Sequence, residues 1–187
     1  MPKLEGQVLG MDRHLVQTKE EFMEMIKELE KATEIAFDTE TTGLNYLTCD
    51  IVGASFSDGN KGWYVPIGHT TEEEQIPKFL FIDKIKPIME NEEISKIAHN
   101  FKFDYQVYKM TCGIEIKGQW LDTMVASWLN DEDQRHGLKA LSKRFLKYDQ
   151  TDFKDVAGKK ARLCWCLQSG EWSELPARYI IRPQKPR

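Results

Sequence analysis

The stretch Ile35-Ala36-Phe37-Asp38-Thr39-Glu40-Thr41-Thr42-Gly43-Leu44 runs from apolar into acidic and then into turn-forming residues. An extended chain repeats its side-chain direction every two residues, so Asp38 and Glu40 project from one face of the strand that this stretch predicts. Two carboxylates so close repel unless a cation lies between them, and hard oxygen donors suit Mg²⁺ or Mn²⁺. Standing alone, the pair reads equally well as a solvated strand end.

A second segment changes the balance. Ser95-Lys96-Ile97-Ala98-His99-Asn100 predicts another short strand, and Phe101-Lys102-Phe103-Asp104 leads from it into a helix. Asp104 therefore arrives at a strand-to-helix junction as a third carboxylate from a separate element. A two-metal phosphoryl-transfer site needs such convergence, because two neighbouring ions must be bridged and flanked by several oxygens. By itself Asp104 is also an ordinary acid in a helix first turn, where the dipole favours it.

With both segments in view, the chain resembles the DnaQ-like 3′–5′ exonucleases. Asp38 to Leu44 is similar to their first motif and His99 to Asp104 to their second. The nearest subgroup is the proofreading domain of DNA polymerase I-type (family A) enzymes. Ile51 to Phe56, Trp63 to His69, Leu121 to Leu129 and Arg135 to Leu141 follow the same family in order, from about Glu34 to about Gly158. The resemblance implies an α/β, RNase H-like fold: a mixed sheet with three antiparallel strands plus parallel strands, flanked by helices.

The resemblance also implies roles. Asp38, Glu40 and Asp104 are the expected catalytic metal ligands, Asp38 and Glu40 for one ion and Asp38 with Asp104 for a second. The two ions are Mg²⁺ or Mn²⁺. Leu44 and Phe103 are expected to pack on the terminal bases of single-stranded DNA 3′ ends, with Thr39, Thr42 and Asn100 holding the strand. Leu44 and Phe103 also read as core residues, and Asn100 as a helix cap. The implied reaction is hydrolysis of the 3′-terminal phosphodiester with release of a nucleoside monophosphate, alone or beside a DNA polymerase.

One part of the family pattern is missing. Its third motif is a Tyr followed four residues later by an Asp on a helix, yet no Asp follows Asp155. Tyr179 is followed at that spacing by Pro183, which a helix interior rejects. Glu171 and Glu174 are the only late acids. From Lys159 the composition changes, with Cys164, Trp165, Cys166 and Trp172 close together, three prolines among the last twelve residues and no amphipathic period. The domain is accordingly read as residues 1–158, with 159–187 an atypical tail, frameshifted or disordered.

The remaining residues set limits. At 187 residues and 41% hydrophobic the chain can bury a proper core in about one domain. It has no apolar run long enough to span a bilayer and no apolar signal region, so the expectation is a soluble, cytoplasmic protein without membrane partners. Cys49, Cys112, Cys164 and Cys166 are scattered and lack a second pair or histidine cluster, which predicts free thiols. The net charge of −4 argues against broad duplex binding, though not against a cleft where cations offset phosphates.

Helices are predicted near 19–31 (Thr18 to Glu21 has the capping-box form), 78–90, 104–112, 122–130 and 137–147. Strands are predicted near 34–39, 51–57, 62–67 and 95–99, with 57–61 closing a hairpin. Pro77 and Pro87 are expected to bound the 78–90 helix. Glu72 to Glu74 reads as a solvated loop, and Lys139, Lys143, Arg144 and Lys147 as a solvated face that also fits a phosphate backbone. Asp122 reads as a helix cap supporting the site, and His99 and His136 as supporting or core residues. Two functional classes follow: an active exonuclease, or an impaired remnant that binds 3′ ends without turning them over.

Overall fold

The computed structural model describes residues 12–70 and 72–148. Among these residues six strands form one sheet in the order β1-β4-β3-β2-β5-β6. They are β1 (Asp12–Leu15), β2 (Glu34–Thr41), β3 (Ile51–Ser57), β4 (Lys61–Pro66), β5 (Ser95–Ala98) and β6 (Trp120–Asp122). β2, β3 and β4 are antiparallel, whereas β1 joins β4, β5 joins β2 and β6 joins β5 in parallel. The mixed sheet expected from the sequence is present. The short edge strands β1 and β6 add to the four strands that were predicted.

The helices are α1 (Lys19–Leu29), α2 (Lys78–Met89), α3 (Phe101–Val107), α4 (Thr123–Asn130) and α5 (Leu138–Leu141). The capping box forms as read: the Thr18 hydroxyl accepts from Glu21 N–H while the Glu21 carboxylate accepts from Thr18 N–H. Pro77 occupies the N-cap of α2, but Pro87 lies inside that helix rather than at its edge. The predicted 104–112 helix begins three residues earlier, at Phe101, and passes into a π-helical turn over Tyr108–Cys112. The predicted 137–147 helix is likewise a short α-helix followed by a π-helical turn, Ser142–Leu146.

Alternation along β2 decides which face is buried. Ile35, Phe37, Thr39 and Thr41 are buried, with Ala36, Asp38 and Glu40 half-buried between them. Phe37 meets Phe101 and Tyr108 edge-on at 5.8 Å, and Phe81 of α2 bridges Phe22 of α1, Phe56 of β3 and Tyr108. Helices α1, α2 and α3 thus share one core of aliphatic and aromatic side chains against this face, held by apolar burial. In the β3–β4 hairpin, Asp58 Oδ1 accepts from Asn60 and Lys61 N–H, and Gly59 takes the positive φ of 89° that the turn needs. Cys49 and Cys112 are free thiols; Cys164, Cys166 and the whole 159–187 tail lie outside the described residues. Among the described residues no helix is long and apolar enough to cross a membrane.

Candidate active site

β2 is longer than its parallel neighbour. β5 pairs with β2 only from Glu34 to Ala36, so among the described residues the following five residues of β2 have no strand on that side. The chain leaving β5 turns at Asn100, whose left-handed backbone (φ 65°, ψ 47°) reverses direction into α3 without a side-chain cap bond. One turn into α3, Asp104 returns to the open edge. Its Oδ1 accepts from Thr39 N–H at 3.0 Å and from the Thr39 hydroxyl at 2.6 Å. A buried carboxylate thus takes the backbone donor that a neighbouring strand would have used.

Asp104 is 2% exposed. Burial pushes its carboxyl up to about 7, the two Thr39 bonds oppose that rise, and the charge of Glu40 adds to it. Asp38 and Glu40 flank Thr39 on the other face of the strand, half-buried and paired in register with Ser55 and Gly53 of β3. The three predicted acids are therefore gathered around one residue, Thr39. Thr39 itself, expected to hold substrate, is buried and spends both donors on Asp104.

The other predicted contact residues are placed differently. Thr42 and Asp50 close the loop after β2, with Thr42 N–H donating to Asp50 O and Asp50 N–H donating to the Thr42 hydroxyl, both at 2.9 Å. That loop carries Leu44, which is 82% exposed and so belongs to no core. Phe103 is half-buried against the core. Asn100 is half-buried at the start of α3, its N–H donating to Asp122 Oδ1 at 3.1 Å.

Asp122 is the helix cap it was read as. Its Oδ1 also accepts from Met124 and Val125 N–H, tying the α3 entry to α4. His99 Nδ1 lies 2.9 Å from the Thr123 hydroxyl, which donates onward to Ala98 O, so the network places the ring proton on Nδ1. Burial holds the His99 pKa below the usual histidine range, only partly offset by Asp122. Gln134 donates to Ser127 Oγ, the Ser127 hydroxyl faces His136 Nδ1 at 2.9 Å, and the His136 ring stacks on Trp128. The basic group near 139–147 includes Arg144, paired with Asp131 and Gln134. Glu72, Glu73 and Glu74 form an exposed loop.

Sequence reading missed a polar cluster on the Asp38/Glu40 side. Tyr64 Oη lies 2.6 Å from His69 Nε2, and burial lowers the His69 pKa to about 4. The signal was present in Tyr64-Val65-Pro66-Ile67-Gly68-His69, which places two polar rings beside a strand end.

A six-stranded mixed sheet with acids at the free edge of its central strand defines an RNase H-like nuclease fold. The solved structures of that fold similar to this chain include RNase D of Trypanosoma brucei in complex with RNA U12 (TM-score 0.71, 14% identity, 92% of this chain and 61% of that one). NrnC of Brucella melitensis with bound Mg²⁺ is another (TM-score 0.62, 18% identity, 91% and 74%). The chain belongs to the 3′–5′ exonuclease family of DNA polymerase I-type enzymes, whose model matches residues 13–182. DNA polymerase I of Pseudomonas aeruginosa is 31% identical over 157 residues, 81% of this chain but 17% of the polymerase. That of Borreliella burgdorferi is 33% identical over 146 residues, 77% and 16%. The chain thus spans under a fifth of the length of these relatives.

Whether the acids suit divalent ions follows from the donor set. Among the described residues no group of three or more His, Cys, Asp or Glu side chains forms a ready cage. The site nevertheless supplies hard oxygens only, two on one strand face and one at the edge, and its edge carboxyl is driven towards protonation by burial and by a neighbouring acid. A cation relieves both effects, so the residues fit Mg²⁺ or Mn²⁺.

Proposed function

We propose that this chain is a divalent-ion-dependent 3′–5′ exonuclease that hydrolyses the terminal phosphodiester of single-stranded DNA, with Asp38, Glu40 and Asp104 as its ligands. The observation that carries the reading is the Thr39 clamp, which brings an acid 65 residues away in sequence to the strand bearing the other two. Asp38 and Glu40 offer oxygens from the strand face, and Asp104 is oriented by two donors before any ion arrives. When bound, the ions supply Lewis acidity and activation of water for an in-line displacement. Leu44, on its exposed loop, and Phe103, next to Asp104 in sequence, are the residues proposed to meet the terminal bases, while Asn100 sets the entry of α3.

The domain proper is residues 1–158, the protein acts in the cytoplasm, and a DNA polymerase is its natural partner, as the relatives' architecture supports. The competing reading is an impaired remnant that binds 3′ ends; in its favour, Tyr179 is followed four residues on by Pro183 rather than by an acid. A 3′-labelled single strand, DNA in one arm and RNA in the other, incubated with Mg²⁺ or Mn²⁺ beside an Asp38→Ala control, separates the cases. Stepwise shortening of DNA by the native chain alone is the expected result. Binding without shortening establishes the remnant, and identical behaviour of Asp38→Ala overturns the ligand assignment.

A further inference from the structure

Ser55, Tyr64 and His69 are buried polar residues beside the sheet face that carries Asp38 and Glu40. Strand register fixes where the first two lie. Asp38 stands opposite Ser55, and Ser55 opposite Tyr64; Glu40 stands opposite Gly53. Residues directly opposite on neighbouring strands share a face, with Cβ atoms about 5 Å apart.

Gly53 is the informative member. A Cβ built on it falls 2.1 Å from Tyr64 Oη and 3.2 Å from His69 Nε2. The Tyr64 ring therefore does not stand upright in its own row beside Ser55. It leans along the sheet, and its hydroxyl occupies the space that a side chain opposite Glu40 would fill.

His69 holds that hydroxyl in place. The His69 backbone is gripped twice by Gln75, its N–H donating to Gln75 Oε1 at 2.7 Å and its carbonyl accepting from Gln75 Nε2 at 2.9 Å. Its Nε2 meets Tyr64 Oη at 2.6 Å, and its Nδ1 is buried with no partner among the described residues. If Tyr64 donated to Nε2, the ring's only proton would sit on Nδ1 as a buried donor without an acceptor. Orphaned buried donors are rarer than orphaned lone pairs. The tautomer with Nε2–H donating to Tyr64 Oη avoids this and turns the phenolic proton away from His69.

We infer that Tyr64, held by His69, is a positioning residue whose hydroxyl donates to the Glu40 carboxylate and aims it for the divalent ion. The inference rests on the ligand role proposed for Glu40. The order of donors is His69 Nε2–H to Tyr64 Oη, then Tyr64 Oη–H to Glu40. It explains why the residue opposite Glu40 is glycine, and why two buried polar rings are maintained beside a strand end.

The test uses the full chain, with Mn²⁺ binding by calorimetry, kcat and KM on a 3′-labelled single DNA strand, and melting temperature. Partners that orient metal ligands typically change affinity or activity by 10–100-fold. Tyr64→Phe should weaken Mn²⁺ binding about tenfold and lower kcat with little change in KM. His69→Gln, whose terminal amide reaches the Nε2 position, should stay near wild type, whereas His69→Leu should match Tyr64→Phe. Tyr105→Phe, a phenol on the α3 surface, should leave all readouts unchanged. Wild-type Mn²⁺ affinity in Tyr64→Phe overturns the inference. Should Tyr64→Phe fail to fold, equal Mn²⁺ affinity in His69→Gln and His69→Leu overturns it instead. The underlying ligand reading fails separately, if Asp38→Ala binds Mn²⁺ as wild type does.

Discussion

Thr39→Val tests the clamp at the centre of the site. Valine keeps the β-branched shape and the buried packing of Thr39, and it keeps the backbone N–H bond to Asp104 at 3.0 Å. It removes only the hydroxyl, whose 2.6 Å bond to Oδ1 is the shorter of the two. A hydrogen bond to a charged group contributes about 1.5–3 kcal/mol, and the acceptor here is too buried for water to replace the donor. The loss should therefore fall in that range, which for a domain of this size lowers Tm by roughly 3–12 °C. Because the Thr39 bonds oppose the burial that raises the Asp104 pKa, the variant's carboxyl should also hold its proton more tightly. Thermal melts of wild type, Thr39→Val, Asp104→Asn and the double variant form a cycle that isolates the pair. A coupling energy indistinguishable from zero, with Tm unchanged in Thr39→Val, refutes the argument.

Three other outcomes are expected. Lys96 is fully buried in β5 with its ammonium donating to Asn91 O, and burial lowers its pKa to about 8. Between pH 8 and 10.5 the unfolded chain holds the proton that the folded one has lost, so stability should rise with pH across that window, by about 3 kcal/mol at most. Lys96→Met should abolish that part of the rise in pH-dependent denaturant melts and should not destabilise at pH 7. Gly53→Ala drives a methyl into the Tyr64 hydroxyl and should lower stability by about 1–3 kcal/mol in urea unfolding, and should cost nothing further when introduced into a Tyr64→Ala background. Asp122→Ala removes the acceptor for Met124, Val125 and Asn100 N–H, and a loss of about 1–2 kcal/mol by the same measurement is expected.

What was legible in the sequence was local and periodic. The alternation of Ile35, Phe37 and Thr39 with Asp38 and Glu40 needs only the two-residue repeat of a strand, and the capping box at Thr18 only a four-residue pattern. The Asp58-Gly59-Asn60 turn announced itself for the same reason. The missed elements lacked such a signal. β1 and β6 have four and three residues, too few to establish alternation, and both are largely exposed. The start of α3 was misplaced because Asn100 turns the chain through its backbone, and its side chain makes no cap bond.

In the site, the two acids of β2 and the arrival of Asp104 could be read from motifs, but the use of Thr39 could not. Its partner lies far away in sequence, and whether a threonine faces solvent or a buried carboxylate depends on where α3 docks. The exposure of Leu44 was likewise undetermined, since an isolated leucine after a turn fits a core as well as a surface.

The mismatch in length between β2 and β5 makes this nuclease fold fragile in an unusual direction. Asp104 reaches the gap because it sits one turn into α3, and each helical residue turns the side-chain direction by about 100°. Deleting Lys102 would keep the Asn100 turn while swinging the carboxylate around the helix barrel. The strand pairings of β2 with β3 and β5 involve no residue of that turn. With Asp104 in the ligand role proposed above, catalytic competence is stored as an angle, in a single-residue phase between a sheet and a helix, and a lineage could lose it by one codon while its sheet stayed intact.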